Sequence, residues 1–160
     1  MGLDIIAISK LVKTEDWTAE ITIGSDPEYN KGIEEGRYNT TIESRRTDFR
    51  VGPYSFYNRF RETIARCMPG VEPVEIWDSV EDFAGKSFIE LIDFSDCDGR
   101  FGGPVCEKQY EDFAENRPKF KEYIDTQGWD EEKIEDYLSV YEDFMKAFEI
   151  GREEGVVIFC

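Results

Sequence analysis

Apolar residues recur at helical spacing after a glycine-proline pair near the middle of the chain. A first helix is predicted to open at Gly52-Pro53, because proline suits the first helical turn, and to end at Pro69-Gly70. The apolar residues of its inner face are Phe56, Phe60, Ile64 and Cys67. This face is expected to be buried.

The strongest helical pattern lies near the carboxyl terminus. It begins near Asp130, where Glu131 and Glu132 favour the positive end of the helix dipole, and it ends between Gly151 and Gly155. Its apolar stripe consists of Ile134, Tyr137, Leu138, Tyr141, Met145 and Phe148. Three shorter helices are predicted before it: one over residues 78–84, one from Pro104 to a break at Pro118, and one around residues 120–124.

Other stretches are rich in β-branched residues and predict strands. Residues 3–13 and 17–23 predict a hairpin that turns at residues 14–16, and residues 37–51 a long or broken strand. The glycine-rich stretch between them, residues 24–36, is predicted as a loop. Further strands are predicted at residues 87–94, the clearest central strand, and at residues 156–160. The sequence therefore predicts a single α+β domain, residues 1–160, with an antiparallel or mixed sheet covered by three or four helices.

Composition sets the cellular context that we expect. In 160 residues, 40% are hydrophobic, so the chain can bury a substantial core. No apolar run is long enough to cross a bilayer, and the start lacks the features of a signal peptide, so we expect a cytoplasmic protein without a membrane partner. The four cysteines, Cys67, Cys97, Cys106 and Cys160, lack zinc-site spacing, and reduced thiols are expected.

The chain contains no histidine. This excludes Ser-His and Cys-His nucleophile pairs, histidine general bases and every metal site that needs imidazole. Catalysis would have to use carboxylates, lysine, tyrosine, cysteine or backbone groups, which favours a non-enzymatic role. We expect no cofactor.

The formal net charge is −17. Such a charge repels phosphate backbones and disfavours direct binding of nucleic acid. The acidic surface is interpreted first as a solvated face that keeps the protein soluble. The alternative is a surface that imitates nucleic acid and occupies a basic groove of a partner.

Two segments, residues 50–61 and 93–105, are each predicted to run from a strand through a glycine-proline turn into a helix start. A helix start offers free N–H groups and a positive partial charge. If the two strands are neighbours, both helix starts face the same edge of the sheet. The candidate ligand-binding residues are Tyr54, Ser55, Asn58 and Arg59 in the first segment, and Asp93, Ser95, Asp96, Asp98 and Gly99 in the second.

Each candidate also has a structural interpretation. Ser55 can bond the first helical turn, Arg59 can be a surface ion partner, and the Asp and Ser residues of the second segment can be turn or cap residues. The DCDG sequence fails the EF-hand pattern, because Phe94 and Val105 occupy the first and twelfth ligand positions. A looser Mg²⁺ or Ca²⁺ site of Asp93, Asp96 and Asp98 stays open. Without a metal, the mixed residues suit a polar neutral or zwitterionic group.

At these motifs the chain resembles a family of small uncharacterised proteins encoded by bacteria and their phages. The resemblance is carried by MGLDIIAISK, DFRVGPYSFYNRFR, FIELIDFSDCDGRFGGPV and FMKAFEIGREEGVVIFC. It implies a bacterial or phage source and adds no mechanism. The chain departs from the family pattern at Pro53, where the family has serine, at Phe60, where it has tryptophan, and at Cys160, where it has histidine.

The leading functional hypothesis is a non-enzymatic accessory protein of a phage or mobile element. It would bind a small polar ligand at the two helix starts, or a host protein on its acidic surface, with a role against host defence as an analogy. One alternative is a carboxylate-dependent, metal-assisted hydrolase or transferase centred on Asp93, Asp96 and Asp98. The other is the acidic mimic of nucleic acid. The sequence leaves the oligomeric state open.

Overall fold

The computed structural model describes residues 1–68, 70–94 and 98–160, which form two β-sheets and a helical layer. The strands are β1 (Gly2–Ile8), β2 (Val12–Thr14), β3 (Ile21–Ile23), β4 (Asn30–Lys31), β5 (Gly36–Asn39), β6 (Arg46–Pro53), β7 (Gly99–Gly102) and β8 (Val156–Phe159). The helices are α1 (Tyr54–Cys67), α2 (Pro73–Asp78), α3 (Ile89–Asp93), α4 (Gly103–Asp125) and α5 (Glu131–Gly151), and a 3₁₀ turn spans Val80–Phe83. The predicted α+β class is confirmed.

The larger sheet has five strands in the order β4-β7-β8-β1-β6. Only the β4–β7 pair is parallel among these described strands, so the sheet is mixed. Its residues alternate as expected for a sheet with one covered face: Leu3, Ile5 and Ala7 of β1 are fully buried against the helices. The predicted first strand and the terminal strand, β8, both pair in this sheet.

The predicted hairpin of residues 3–13 and 17–23 is wrong. β1 pairs with β6 and β8, whereas β2 and β3 flank β5 in a separate three-stranded sheet. An apolar strand pairs where its side chains are buried most completely. Ile21 and Ile23 of β3 pack with Ile8 and Val156 in a second, small core.

The predictions for the segments on either side of Gly36 had different outcomes: the loop was wrong in part, and the strand is broken, which the sequence left open. Residues 24–36 were expected to form a loop, but Asn30–Lys31 add to the edge of β7 as β4. The predicted long or broken strand of residues 37–51 is divided into β5 and β6 by a turn at residues 40–45.

The predicted central strand at residues 87–94 is also wrong, because this segment forms the short helix α3. A short apolar run is compatible with either a buried strand or a buried helix. Ile89, Leu91 and Ile92 are all buried, and Phe88 before them has a left-handed backbone with φ of 63°. The Asp112 carboxylate of α4 accepts a hydrogen bond from Phe88 N–H at 2.9 Å and holds this start in place.

α4 continues through Pro118, where a break was predicted. Pro118 is exposed, whereas Phe113, Phe120 and Ile124 of the same helix are fully buried. Packing of this face against α5 outweighs the local penalty of proline. α5 begins after Asp130, whose side chain accepts a hydrogen bond from Lys133 N–H at 2.8 Å, as the sequence pattern predicts.

The core lies between the five-stranded sheet and the helices and is dominated by aromatic rings. Phe144 of α5 stacks on Phe60 of α1 at 5.6 Å and meets Phe49 of β6 edge-on at 5.3 Å. Cys67 and Cys106 are buried beside these rings, as predicted, and both are free thiols. No helix among the described residues has the length and apolar content to span a membrane.

Candidate functional site

The two helix starts predicted to share an edge lie at opposite ends of the sheet. β6 runs antiparallel to β1, β1 antiparallel to β8, and β8 antiparallel to β7. β6 and β7 therefore point in opposite directions, and two strands separate them. Since α1 follows β6 and α4 follows β7, their amino-terminal ends cannot form one anion site.

The carboxylate segment before β7, however, lies at the same end of the sheet as the start of α1. Gly99 pairs with Phe159, Phe159 with Ile5, and Ile5 with Phe49. One row across the sheet thus joins the beginning of β7 to the middle of β6, so the residues before Gly99 lie toward the end at which β6 leads into α1. We call this end, at which Gly2, Pro53, Gly99 and Phe159 lie, the α1 end of the sheet.

Arg61 connects α1 to α3 at this end. It is 3% exposed, and its Nη1 donates hydrogen bonds to the carbonyl oxygens of Ile92, at 3.1 Å, and Phe94, at 2.7 Å. Its Nη2 donates to Asn58 Oδ1 at 2.6 Å. The carbonyls at the end of a helix carry partial negative charge, so a guanidinium stabilises them. Arg61 therefore fixes the end of α3 against α1.

Two aromatic residues enclose this contact. The guanidinium carbon of Arg61 lies 4.8 Å from the ring centre of Tyr57 and 5.6 Å from that of Trp77. Trp77 Nε1 donates to the Ile92 carbonyl at 3.0 Å, and the Tyr57 hydroxyl donates to the Phe94 carbonyl at 3.4 Å. Four elements or segments thus meet at two carbonyl groups: α1, α2, α3 and Phe94 after it.

The predicted residues of α1 occupy different surroundings. Asn58 is exposed and belongs to the Arg61 contact, whereas Tyr54 is half-buried against the main core and Ser55 is exposed. The Arg59 guanidinium lies beside the Tyr137 hydroxyl of α5. The pKa of Tyr137 is raised by burial, while hydrogen bonds from Thr63 and Arg59 oppose that rise. Asn58 therefore lies toward the carboxylate segment, and Arg59 lies toward α5.

The predicted residues of the second segment are described in part. Asp93 ends α3 and forms a half-buried ion pair with Lys31 of β4, with 3.0 Å between Nζ and Oδ2. Asp98 is exposed over 79% of its side chain, and its Oδ1 lies 3.9 Å from Arg100 Nη1. Gly99 is buried, and a Cβ there would overlap the ring of Phe94. Ser95, Asp96 and Cys97 lie outside the described residues.

Three further residues at this end were missed in the sequence: Lys31, Arg61 and Arg100. Lys31 lay in a predicted loop. The burial of Arg61 is indicated in the sequence only by its apolar neighbours on the helix, Phe60 and Ile64. Arg100 follows Gly99 in β7, and its Nε is buried without a hydrogen-bond partner among the described residues. An arginine next to Phe101 in a short segment that glycines bound on both sides was the available signal.

Arg100 also influences the last residue of the chain. Burial raises the pKa of the Cys160 thiol, and the nearby carboxylates of Asp4 and Asp98 raise it further, while Arg100 lowers it. Cys160 Sγ donates to the Asp4 carbonyl at 3.5 Å, and the Asp4 carboxylate pairs with Arg50 at 3.3 Å. Charged groups of both signs therefore extend across the α1 end.

A second polar network supports α3 from the opposite side. Lys108 Nζ of α4 lies 2.7 Å from Glu90 Oε2 and 3.0 Å from Asp112 Oδ2. Gln109 is fully buried and donates to Glu90 at 2.8 Å. These bonds lie near the start of α3, where Phe88 has a strained backbone, and the Arg61 contact lies at the end of the helix. α3 is therefore held at both ends.

The carboxylates of the second predicted segment are not gathered around one point among the described residues. No group of three or more Cys, Asp or Glu side chains in residues 1–68, 70–94 and 98–160 is arranged to hold a metal ion. The predicted carboxylate site therefore has Asp93 held by Lys31, Asp98 in solvent and Asp96 outside the description. Its use as a hydrolase or transferase site stays a prediction.

Comparison with known proteins found no match to any family model, curated protein or solved structure. The resemblance to bacterial and phage proteins thus stays a prediction from the sequence.

Proposed function

We propose that this protein is a non-enzymatic binding protein whose recognition surface is the α1 end of the five-stranded sheet. The observation that supports this most directly is the bridge from Asn58 through Arg61 to the Phe94 carbonyl. It fixes an exposed amide of α1 relative to the segment that begins at Asp93. A binding surface needs such prior fixation, since ordering side chains on binding weakens affinity.

The ligand class follows from the charges on this surface. The pairs Lys31–Asp93 and Arg100–Asp98 each place a cation beside a carboxylate. A zwitterionic or neutral polar molecule can form favourable contacts with both the cation and the carboxylate of such a pair. A simple anion is repelled by the carboxylate, and a simple cation is repelled by the lysine or arginine. We therefore expect a small zwitterion, such as a free amino acid or a related metabolite.

Isothermal titration with a panel of amino acids and other zwitterions tests this proposal. Asp93→Asn removes one charge of the surface, and the expected affinity loss is about tenfold or more. Asp125→Asn is the matched control, because Asp125 of α4 forms a comparable half-exposed pair with Lys121. The proposal is wrong if no member of the panel binds, or if both variants bind as the parent does.

A basic protein partner is the second candidate, and the distribution of charge favours it. Residues 1–66 carry ten Lys and Arg against eleven Asp and Glu, whereas residues 67–160 carry nine against twenty-five. Residues 72–82, which span α2 and most of the 3₁₀ turn, contain five acidic residues and no basic one, and expose Val74 and Trp77. Such a surface suits a basic host protein, and imitation of nucleic acid is one form of it.

Salt dependence distinguishes this second candidate from the first. The affinity of a basic partner for the acidic surface of residues 72–82 should fall steeply with salt, by about tenfold or more between ~0.1 and ~0.5 M NaCl. Replacing Glu75, Asp78 and Glu81 by their amides should abolish the complex. Binding of a partner that ignores both salt and these substitutions contradicts it.

A further inference from the structure

A groove runs between the free edge of the five-stranded sheet and helix α5. β6 is the last strand in the sheet order, so its outer edge has no strand beside it among the described residues. α5 packs over β6 through the contact of Phe144 with Phe49. The space between them, about 360 Å³, shares no lining residue with Asn58, Asp93 and Asp98 of the proposed ligand surface.

The lining of this edge groove combines apolar and acidic side chains. Val51, Phe56 and Val140 supply apolar surface, and Phe56 is held by an edge-on contact with Tyr137 at 5.0 Å. The α5 wall consists of Asp136, Ser139, Val140 and Asp143, a single stripe at helical spacing. Pro53 and Arg50 complete the β6 wall.

The outer edge of β6 and helix α5 form an open channel beside the strand, and not a closed pocket. A free strand edge presents N–H and C=O groups that can pair with an added strand. Recognition by strand addition takes affinity from these backbone groups and specificity from side chains that enter the adjoining groove. Here the adjoining groove offers an apolar floor and two carboxylates.

We propose that the edge groove binds an extended peptide segment of another protein, with a lysine or arginine directed to Asp136 and Asp143 and an apolar side chain placed on Val51, Phe56 and Val140. This inference goes beyond the proposed ligand site and is independent of it. A second copy of the chain is disfavoured as the occupant, because two molecules of net charge −17 repel each other. A cationic segment is attracted by the same field.

The burial of Asp143 supports a cationic occupant. Burial raises the pKa of this carboxyl, Lys146 lowers it, and Glu142 raises it further. A positive side chain in the groove would offset the unfavourable desolvation of Asp143. Among the described lining residues the cation is Arg50, and its Nη1 lies 3.3 Å from the carboxylate of Asp4 in the neighbouring strand β1.

Fluorescence anisotropy with a labelled octapeptide of alternating lysine and valine tests the proposal. The double variant Asp136→Asn/Asp143→Asn should bind this probe about tenfold more weakly than the parent does. The matched control is Glu111→Gln/Glu115→Gln, which removes the same charge from exposed positions of α4 and should change the affinity by less than about twofold. Equal losses in the two variants would reduce the effect to general electrostatic attraction and overturn the proposal.

Two further probes separate strand addition from other modes. The same octapeptide with alternate backbone amides methylated should lose binding, because it cannot pair with β6. Ser139→Trp should block the groove without removing charge, while Ala114→Trp at an exposed site of α4 should not. Binding of the methylated peptide, binding to Ser139→Trp, no binding of the lysine–valine probe to the parent, or a parent that dimerises instead would each contradict the proposal.

Discussion

At the residue scale, Arg61 determines how the α1 end is assembled. A buried guanidinium is stable only when its donors are satisfied, and the Ile92 and Phe94 carbonyls and Asn58 accept from it. Lysine could not replace it, since a single ammonium lacks the planar fork that reaches three oxygens on different segments. Arg61 is thus a positioning residue for the proposed ligand surface.

Arg61→Met should destabilise the protein by about 3 kcal/mol, because two carbonyls and an amide lose a charged donor inside the structure. Urea unfolding followed by circular dichroism measures this change. Arg46→Met is the control, since Arg46 is exposed and should shift the free energy of unfolding by less than about 0.5 kcal/mol. Equal effects of the two substitutions would show that Arg61 is not a structural connector.

Gly99 is required because Phe94 occupies the space of a side chain there. Phe94 is itself fixed between Phe101, at 4.6 Å, and Phe159, at 4.9 Å, so it cannot move aside. Gly99→Ala should therefore lower the free energy of unfolding by about 1–3 kcal/mol. Gly24→Ala, whose new Cβ would meet nothing closer than Asn30 Nδ2 at 3.9 Å, should have little effect.

Adding Phe94→Leu to Gly99→Ala removes the ring that the new methyl group would overlap. The double variant should therefore recover part of the lost free energy of unfolding. If the single Gly99→Ala variant is as stable as the parent, the close packing of Phe94 on β7 is wrong.

The buried thiol of Cys67 makes stability depend on alkaline pH. Burial raises its pKa to about 11 in the folded protein, against 9.0 for the free thiol, while Lys119 lowers it. The folded state therefore holds the proton more strongly than the unfolded chain does. This contribution is complete below pH 9 and is lost as the pH rises from about 9 to 11, by about 2–3 kcal/mol in all.

The free energy of unfolding, measured with urea between pH 8 and 11, should fall less steeply with pH for Cys67→Ala than for the parent. Ser25→Ala, which changes an exposed hydroxyl and no thiol, should leave the decline in this range nearly unchanged. Parallel curves for the parent and Cys67→Ala would contradict the burial of this thiol.

At the scale of elements, helices α1 and α5 and the terminal strands β1 and β8 could be predicted from apolar periodicity and start signals, whereas the continuation of α4 through Pro118 could not. α1 and α5 have apolar residues every three or four positions and clear start signals, Pro53 and Asp130. The partners of short strands could not be predicted, because β2 and β3 are three residues long and either could pair with several neighbours. The distribution of the candidate site over β4, α1, α3 and β7 depends on those pairings.

α3 illustrates the same limit. Five of the eight residues 87–94 are apolar, and in so short a segment tertiary contacts decide between a buried strand and a buried helix. The deciding contacts come from Asp112, which binds Phe88 N–H, and from Arg61, which binds the carbonyl end. Neither contact leaves a local signal in the segment itself.

Pro118 gives an element-scale prediction. It lies inside α4 on an exposed face, so it removes a helical hydrogen bond without contributing to the core. Pro118→Ala should raise the free energy of unfolding by about 1–3 kcal/mol, since proline is unfavourable in a helix interior. Thermal unfolding measures the change, and an unchanged or lower midpoint would show that α4 is distorted around this residue.

At the scale of the whole molecule, the charge is divided between two sides. The helical side carries most of the excess of acidic residues, while the sheet and α1 are nearly neutral. The α1 end has groups of both signs, whereas the edge groove is acidic on its α5 wall. Two kinds of recognition, of a zwitterion and of a cationic peptide, can therefore coexist on one small domain.

Native mass spectrometry of the protein purified from bacterial cells tests the ligand proposal most directly. The parent and the control Asp125→Asn should both retain a bound small polar molecule, and the double variant Asn58→Ala/Asp93→Asn should release it. Retention of the same molecule by the double variant, or a parent that carries none, would contradict recognition at the α1 end.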